Sequence, residues 1–138
     1  MQGDEPQQSS RRRILIVEDN ELNLKLLNDI LDFHGYTTIV TGKGAEAVAM
    51  ARQYRPDLIL LDIQLPDIPG TGVARALKAD PQTRAIPIIA VTAFAMPGDR
   101  QKILESGCDY YVSKPFNLHN LLALVERYTD EPRLQEHP

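Results

Sequence analysis

The sequence predicts an α/β fold: a single flavodoxin-like (βα)5 unit, built as a doubly wound parallel sheet with strand order 2-1-3-4-5. Three observations predict it. Five short runs of apolar or β-branched residues alternate with five segments of helical period. The connections are short, and strand–helix repetition of this kind means βαβ units and parallel pairing. The length of 138 residues corresponds to one domain at roughly 150 residues each.

The runs Ile14–Val17, Leu58–Leu61 and Ile86–Val91 are apolar without a break, as expected of central strands covered on both faces. Tyr36–Val40 is interrupted by Thr37 and Thr38, and Tyr110–Val112 is flanked by Asp109 and Ser113, so these two belong at the edges. Between the strands, Asn20 is an N-cap for a first helix whose Leu22, Leu26, Leu27, Ile30 and Leu31 share one face and which ends near Gly35. Asn23 falls in the middle of that stripe and needs polar partners. A second helix spans about Lys43 to Tyr54 and stops ahead of Pro56. The third follows Gly70, the fourth runs from Pro97–Gly98 to near Gly107, and the fifth covers about Asn117 to Tyr128. Residues 1–12 then form a flexible N-terminal tail, 13–128 the domain, and 129–138 a C-terminal tail too short for an output domain.

Composition narrows the function. Hydrophobic residues make up 43% and charged residues 25%, which is ordinary for a globular chain. The net charge of −4 disfavours nucleic acid as a partner, because phosphate backbones select a basic excess or stripe. Arg11–Arg13 read as a solubilising flank. One cysteine makes neither an internal disulfide nor a thiolate metal cage, and Cys108 is expected to be a small buried hydrophobe. No apolar run approaches the ~18 residues that span a membrane, and Met1–Arg13 lacks the apolar stretch of a signal peptide, so a cytoplasmic location is expected. His34, His119 and His137 are scattered without ligand spacing.

The chemistry lies where the predicted strands end. Ligands of doubly wound sheets bind outside the carboxyl ends of the strands, where strand order reverses. Glu18 and Asp19 follow the first strand, Asp62 ends the third, Thr92 follows the fourth and Lys114 follows the fifth. Taken singly, each has a plainer explanation: helix capping for Glu18-Asp19, a turn for Asp62, a loop threonine, a solvated lysine. Together they bring three carboxylates, a hydroxyl and an ammonium to one place. Crowded carboxylates repel by about 1 kcal/mol per pair at 4 Å in water, and by more when desolvated, so a cation must offset them. With only oxygen ligands available the cation is a hard one, and Mg²⁺ leaves positions open for phosphate oxygens. This is the residue set of a magnesium-assisted phosphoryl acceptor.

The segments ILIVEDNELN, PDLILLDIQLP, IPIIAVTAFA and GCDYYVSKP make the chain resemble a response-regulator receiver domain of the single-domain type, from about Arg13 to Tyr128. The resemblance implies a phosphorelay protein rather than a turnover enzyme. Asp62 would accept a phosphoryl group from a histidine kinase or histidine phosphotransfer protein. Asp19, Asp62 and the Gln64 backbone carbonyl would ligate Mg²⁺, with Glu18 acting through metal-bound water. Lys114 and Thr92 would bind the phosphoryl group, and Pro115 stands where the family has a cis-proline. Tyr111 stands at the family's aromatic switch position, with small Ala93 leaving room for its ring to turn inward. The signal would leave through helix 4, strand 5 and helix 5 to a downstream protein. Phe94, Ala95 and Met96 form an apolar stretch near that face, and Gln64 and Phe94 border the path of attacking water. Two rivals fit less well. A haloacid-dehalogenase-type phosphohydrolase needs an acid/base Asp where Gln64 stands, and a flavodoxin needs a hydroxyl-rich loop where Glu18-Asp19 would repel the flavin phosphate.

Overall fold

The computed structural model describes residues 12–93 and 96–135. The N-terminal tail through Arg11, the apolar pair Phe94 and Ala95, and residues 136–138 with His137 lie outside the described residues. The elements are β1 (Arg13–Val17), α1 (Glu21–Phe33), β2 (Thr37–Thr41), α2 (Gly44–Tyr54), β3 (Leu58–Asp62), α3 (Gly70–Ala79), β4 (Ile88–Thr92), α4 (Pro97–Glu105), β5 (Tyr110–Ser113) and α5 (Leu118–Gln135).

The strands form one parallel sheet in the order β2-β1-β3-β4-β5, with β2 and β5 at the edges. Successive strand residues point to opposite faces, so each central strand feeds two cores. Leu15, Val17, Ile59, Leu61, Ile88 and Ala90 pack with Ala47 and Ala51 of α2, Val73, Ala74 and Leu77 of α3, and Ile103 of α4. Ile14, Ile16, Leu58, Leu60 and Ile89 pack with Leu27 and Leu31 of α1 and with Leu121 and Val125 of α5. Cys108 is buried in the first of these cores, and burial pushes its thiol up to about 11, which makes it an inert hydrophobe.

Local signals set the helix boundaries. The Asn20 side chain accepts the N–H of Asn23 at 2.9 Å, and Gly35, at φ +91°, ends α1 in a backbone region that L side chains rarely adopt. Three expectations are corrected. Leu22 and Leu26 do not reach the core: they are 74% and 42% exposed, and only Leu27 and Leu31 of the predicted stripe are fully covered. Packed on the sheet, α1 buries a narrower arc than that five-residue stripe. Helix α5 continues to Gln135 instead of stopping near Tyr128. Strand β4 also starts at Ile88 and not Ile86, because the Ile86 N–H is taken by a turn bond to the Thr83 carbonyl.

Candidate functional site

Strand register assembles the site. Val17 is level with Leu61, Asp62 with Val91, and Thr92 with Ser113. Parallel strands in step end at one rim, so Glu18, Asp62, Thr92 and Lys114 emerge there side by side. The pairing continues past the strands: the Glu18 N–H donates to the Thr41 carbonyl at 2.9 Å, and the Lys114 N–H to the Thr92 carbonyl at 2.7 Å.

Glu18 and Asp62 are buried, at 1% and 3% exposure, whereas Asp19 faces solvent. One carboxylate oxygen from each of the three lies within 4.8 Å of the others. Among the described residues this is the one grouping of three or more His, Cys, Asp or Glu side chains close enough to share a metal. His34 and His119 instead line a groove between α1 and α5. The Asp62 carboxylate accepts the Gln64 N–H at 2.9 Å, and Glu18 accepts the Asn20 N–H at 3.1 Å. The turn and capping roles that sequence allows these residues are therefore real, and they orient the carboxylates for a second use.

Lys114 is not a solvated lysine. Its side chain is 19% exposed, and Nζ lies 3.3 Å from Glu18 and 3.4 Å from Asp62. Those distances exceed the ~2.8 Å of a tight charge-assisted hydrogen bond, so one ammonium bridges two buried carboxylates without neutralising both. Glu18 registers the deficit. Burial, and then the neighbouring Asp62 carboxylate, push its pKa from 4.5 up to about 7, against the opposing pull of the Asn20 N–H and Lys114.

Around this centre Thr92 is fully buried at the end of β4, and Ala93 is exposed beside it. Ala93, Lys114 and Pro115 line a cleft of about 400 Å³ with Asn23, Leu26 and Phe116. Asn23, placed by sequence in an apolar stripe, thus borders the site, which accounts for a polar residue at that point. The Lys114–Pro115 peptide is cis. Gln64 is exposed in the β3–α3 loop. Tyr111 is half-buried on β5, with the Arg100 guanidinium of α4 4.8 Å above its ring.

Sequence reasoning missed two residues. Asp67, in the β3–α3 loop, accepts the Gly44 and Ala45 N–H groups at 3.0 and 2.9 Å, and those bonds hold its carboxyl below the usual range. Its partners are far away in the chain, so no local pattern marks it. Gly70, read only as preceding the third helix, lets α3 cross the backbone at the end of β3: a Cβ there would lie 2.5 Å from Ile63 Cα and 2.6 Å from the Asp62 carbonyl oxygen.

The response regulator receiver domain family matches residues 14–126. The chain belongs to that family. Its receiver fold is shared by the magnesium-bound receiver domain of the sensor histidine kinase PA1611 from Pseudomonas aeruginosa, at 36% identity and a TM-score of 0.81 over 87% of this chain and 98% of that one. A CheY-like receiver domain protein from Methanospirillum hungatei superposes with a TM-score of 0.82 at 33% identity, over 91% of this chain and 99% of that one. The receiver is also 50% identical over 117 residues to the polar-differentiation response regulator DivK of Brucella anthropi, covering 85% of this chain and 95% of that protein. The DivK of Brucella ovis is 49% identical over the same length. The protein is thus a response-regulator receiver of a two-component system, similar to DivK. Receiver domains bind Mg²⁺, and the donor set here fits that ion: oxygen-only ligands, two of them buried with one ammonium to balance them, and one open to solvent. No described helix is long and apolar enough to cross a membrane.

Proposed function

We propose that this receiver takes a phosphoryl group from a phosphohistidine onto Asp62 and reports the change through altered protein–protein binding. One observation carries the reading: a buried carboxylate at a strand end, with a lysine ammonium 3.4 Å away and two further carboxylates within metal-sharing distance. In the transfer, an Asp62 carboxylate oxygen forms the new P–O bond and the P–N bond of the phosphohistidine breaks. The electron pair leaves with the imidazole, which picks up a proton from solvent.

Asp19, Asp62 and the Gln64 carbonyl would hold Mg²⁺, with Glu18 behind it through water. Bound there, the ion supplies positive charge against the equatorial phosphoryl oxygens. The remaining work belongs to side chains. Lys114 exchanges a carboxylate partner for a phosphoryl oxygen, Thr92 donates its hydroxyl to another, and the Gln64 N–H fixes the orientation of Asp62. Nearly all of this is positioning, so the protein promotes its own phosphorylation and dephosphorylation without turning over an external product. A histidine kinase or histidine phosphotransfer protein of the cytoplasm is the donor in this reading, and the likeness to DivK supports a place in a comparable differentiation circuit.

The outgoing surface is the face of α4, β5 and α5. Arg100, Leu104, Asp109, Tyr110 and Tyr111 line a cleft of about 250 Å³ there, with Met96 exposed nearby. Phosphoryl uptake tests the core of the reading. Incubation with a small acyl phosphate in Mg²⁺ should add one phosphoryl group by mass spectrometry, and none in chelator or in Asp62→Asn. Labelling of that variant at wild-type yield overturns the assignment.

A further inference from the structure

We propose that Asp67 is a positioning residue for the metal site, tying the loop that carries Gln64 to the turn that abuts Asp19. The inference rests on the functional reading above and extends it to a residue outside the phosphoryl machinery. Helix α2 is preceded by Lys43 at its N-cap position, whose side chain makes no capping bond. The cap comes instead from Asp67, whose two carboxylate oxygens receive the Gly44 and Ala45 N–H groups. A negative charge at a helix N-terminus is favoured in its own right. Here it also joins two loops.

The turn between β2 and α2 touches both the Glu18–Asp19 segment and the β3–α3 loop. On one side, the Thr41 carbonyl receives the Glu18 N–H at 2.9 Å, and a Cβ on Gly42 would lie 3.5 Å from Asp19 Cα. On the other, a Cβ on Gly44 would lie 2.8 Å from Ile68 Cγ1 and 3.1 Å from Leu65 Cδ1, both in the β3–α3 loop. The base of that loop is closed by the Gly70 N–H on the Ile63 carbonyl. Asp67 fastens its far end. Without the carboxylate, the loop can shift against the turn, and the Gln64 carbonyl loses its fixed distance from Asp19.

The test separates this bridge from simple helix capping. Mg²⁺ affinity is read by titration calorimetry and stability by thermal unfolding, each for wild type, Asp67→Ala, Asp67→Asn and the double variant Asp67→Ala/Lys43→Ser. Lys43 has the extended backbone of a cap residue, so serine there restores a cap from within the helix. Asp67→Ala should weaken Mg²⁺ binding roughly tenfold, while acceptance from acyl phosphate at saturating Mg²⁺ stays within about twofold. Asp67→Asn keeps one acceptor oxygen and should lose about threefold in affinity. The double variant should regain thermal stability and keep the weak affinity. Unchanged affinity in Asp67→Ala overturns the proposal, as does affinity that recovers together with stability in the double variant. A wild type that binds Mg²⁺ but takes up no phosphoryl group overturns the functional reading and leaves the affinity comparison standing.

Discussion

Glu18 shows what the site costs at the scale of one residue. A carboxyl at 1% exposure, beside the Asp62 carboxylate, is charged at neutral pH only against resistance, which its pKa of about 7 expresses. Neither Lys114, shared at 3.3 Å, nor the Asn20 N–H removes the strain. A divalent cation placed against the cluster would, so the charge that burdens the metal-free fold is the charge that binds metal. Glu18→Gln preserves shape and the acceptor for the Asn20 N–H while deleting the charge. In chelator at pH 8 the variant should be more stable than wild type by about 1 kcal/mol in denaturant unfolding. Its Mg²⁺ affinity should fall roughly tenfold in calorimetry. A loss of stability in chelator would show that Glu18 is fully compensated by its neighbours.

At the scale of elements, the site depends on strand ends arriving level and on α3 lying close. Parallel register supplies the first; Gly70 supplies the second, because its missing Cβ is the only reason Ile63 and the Asp62 carbonyl are not struck. Gly70→Ala should destabilise by ~1–3 kcal/mol in denaturant unfolding and slow phosphoryl uptake, since relief requires the Asp62 backbone to move. Gly72→Ala in the same helix meets nothing within 4 Å and should stabilise by about 0.5–1 kcal/mol with uptake unchanged. The contrast between the two defines how much was legible beforehand. Strand order, Asn20 as a cap, Gly35 as a stop and the convergence of Glu18, Asp19, Asp62, Thr92 and Lys114 are read from local pattern and topology. The roles of Asp67 and Gly70 are not, because each is defined by a neighbour across a loop. The exposure of Leu22 and Leu26 escaped for a related reason: helical period marks which residues share a face but not how wide an arc the sheet covers.

For the whole molecule, the two cores divide the labour of the sheet. Helices α1 and α5 pack on one face and α2, α3 and α4 on the other, so a change at the rim can reach α4 and β5 without crossing the layer under α1. The route is short. Thr92 ends β4, its carbonyl receives the Lys114 N–H, and Ala90 on the same strand is level with Tyr111 on β5. Tyr111 packs against the first core while its ring carries the Arg100 guanidinium, so inward rotation of the ring would uncover Arg100 and reshape the cleft it shares with Leu104 and Tyr110. A partner that reads this face shifts the equilibrium by no more than its differential affinity for the two arrangements, typically ~1–3 kcal/mol, or about 5- to 150-fold in binding. Tyr111→Ala leaves the strand ends and their carboxylates in place and removes the ring that, in the proposed reading, couples them to the surface. The variant should therefore take up a phosphoryl group on Asp62 at near wild-type yield yet bind a partner with nearly equal affinity whether phosphorylated or not. Calorimetric titration of a partner against both forms of both proteins checks it, and a variant that discriminates as well as wild type would place the coupling on another path.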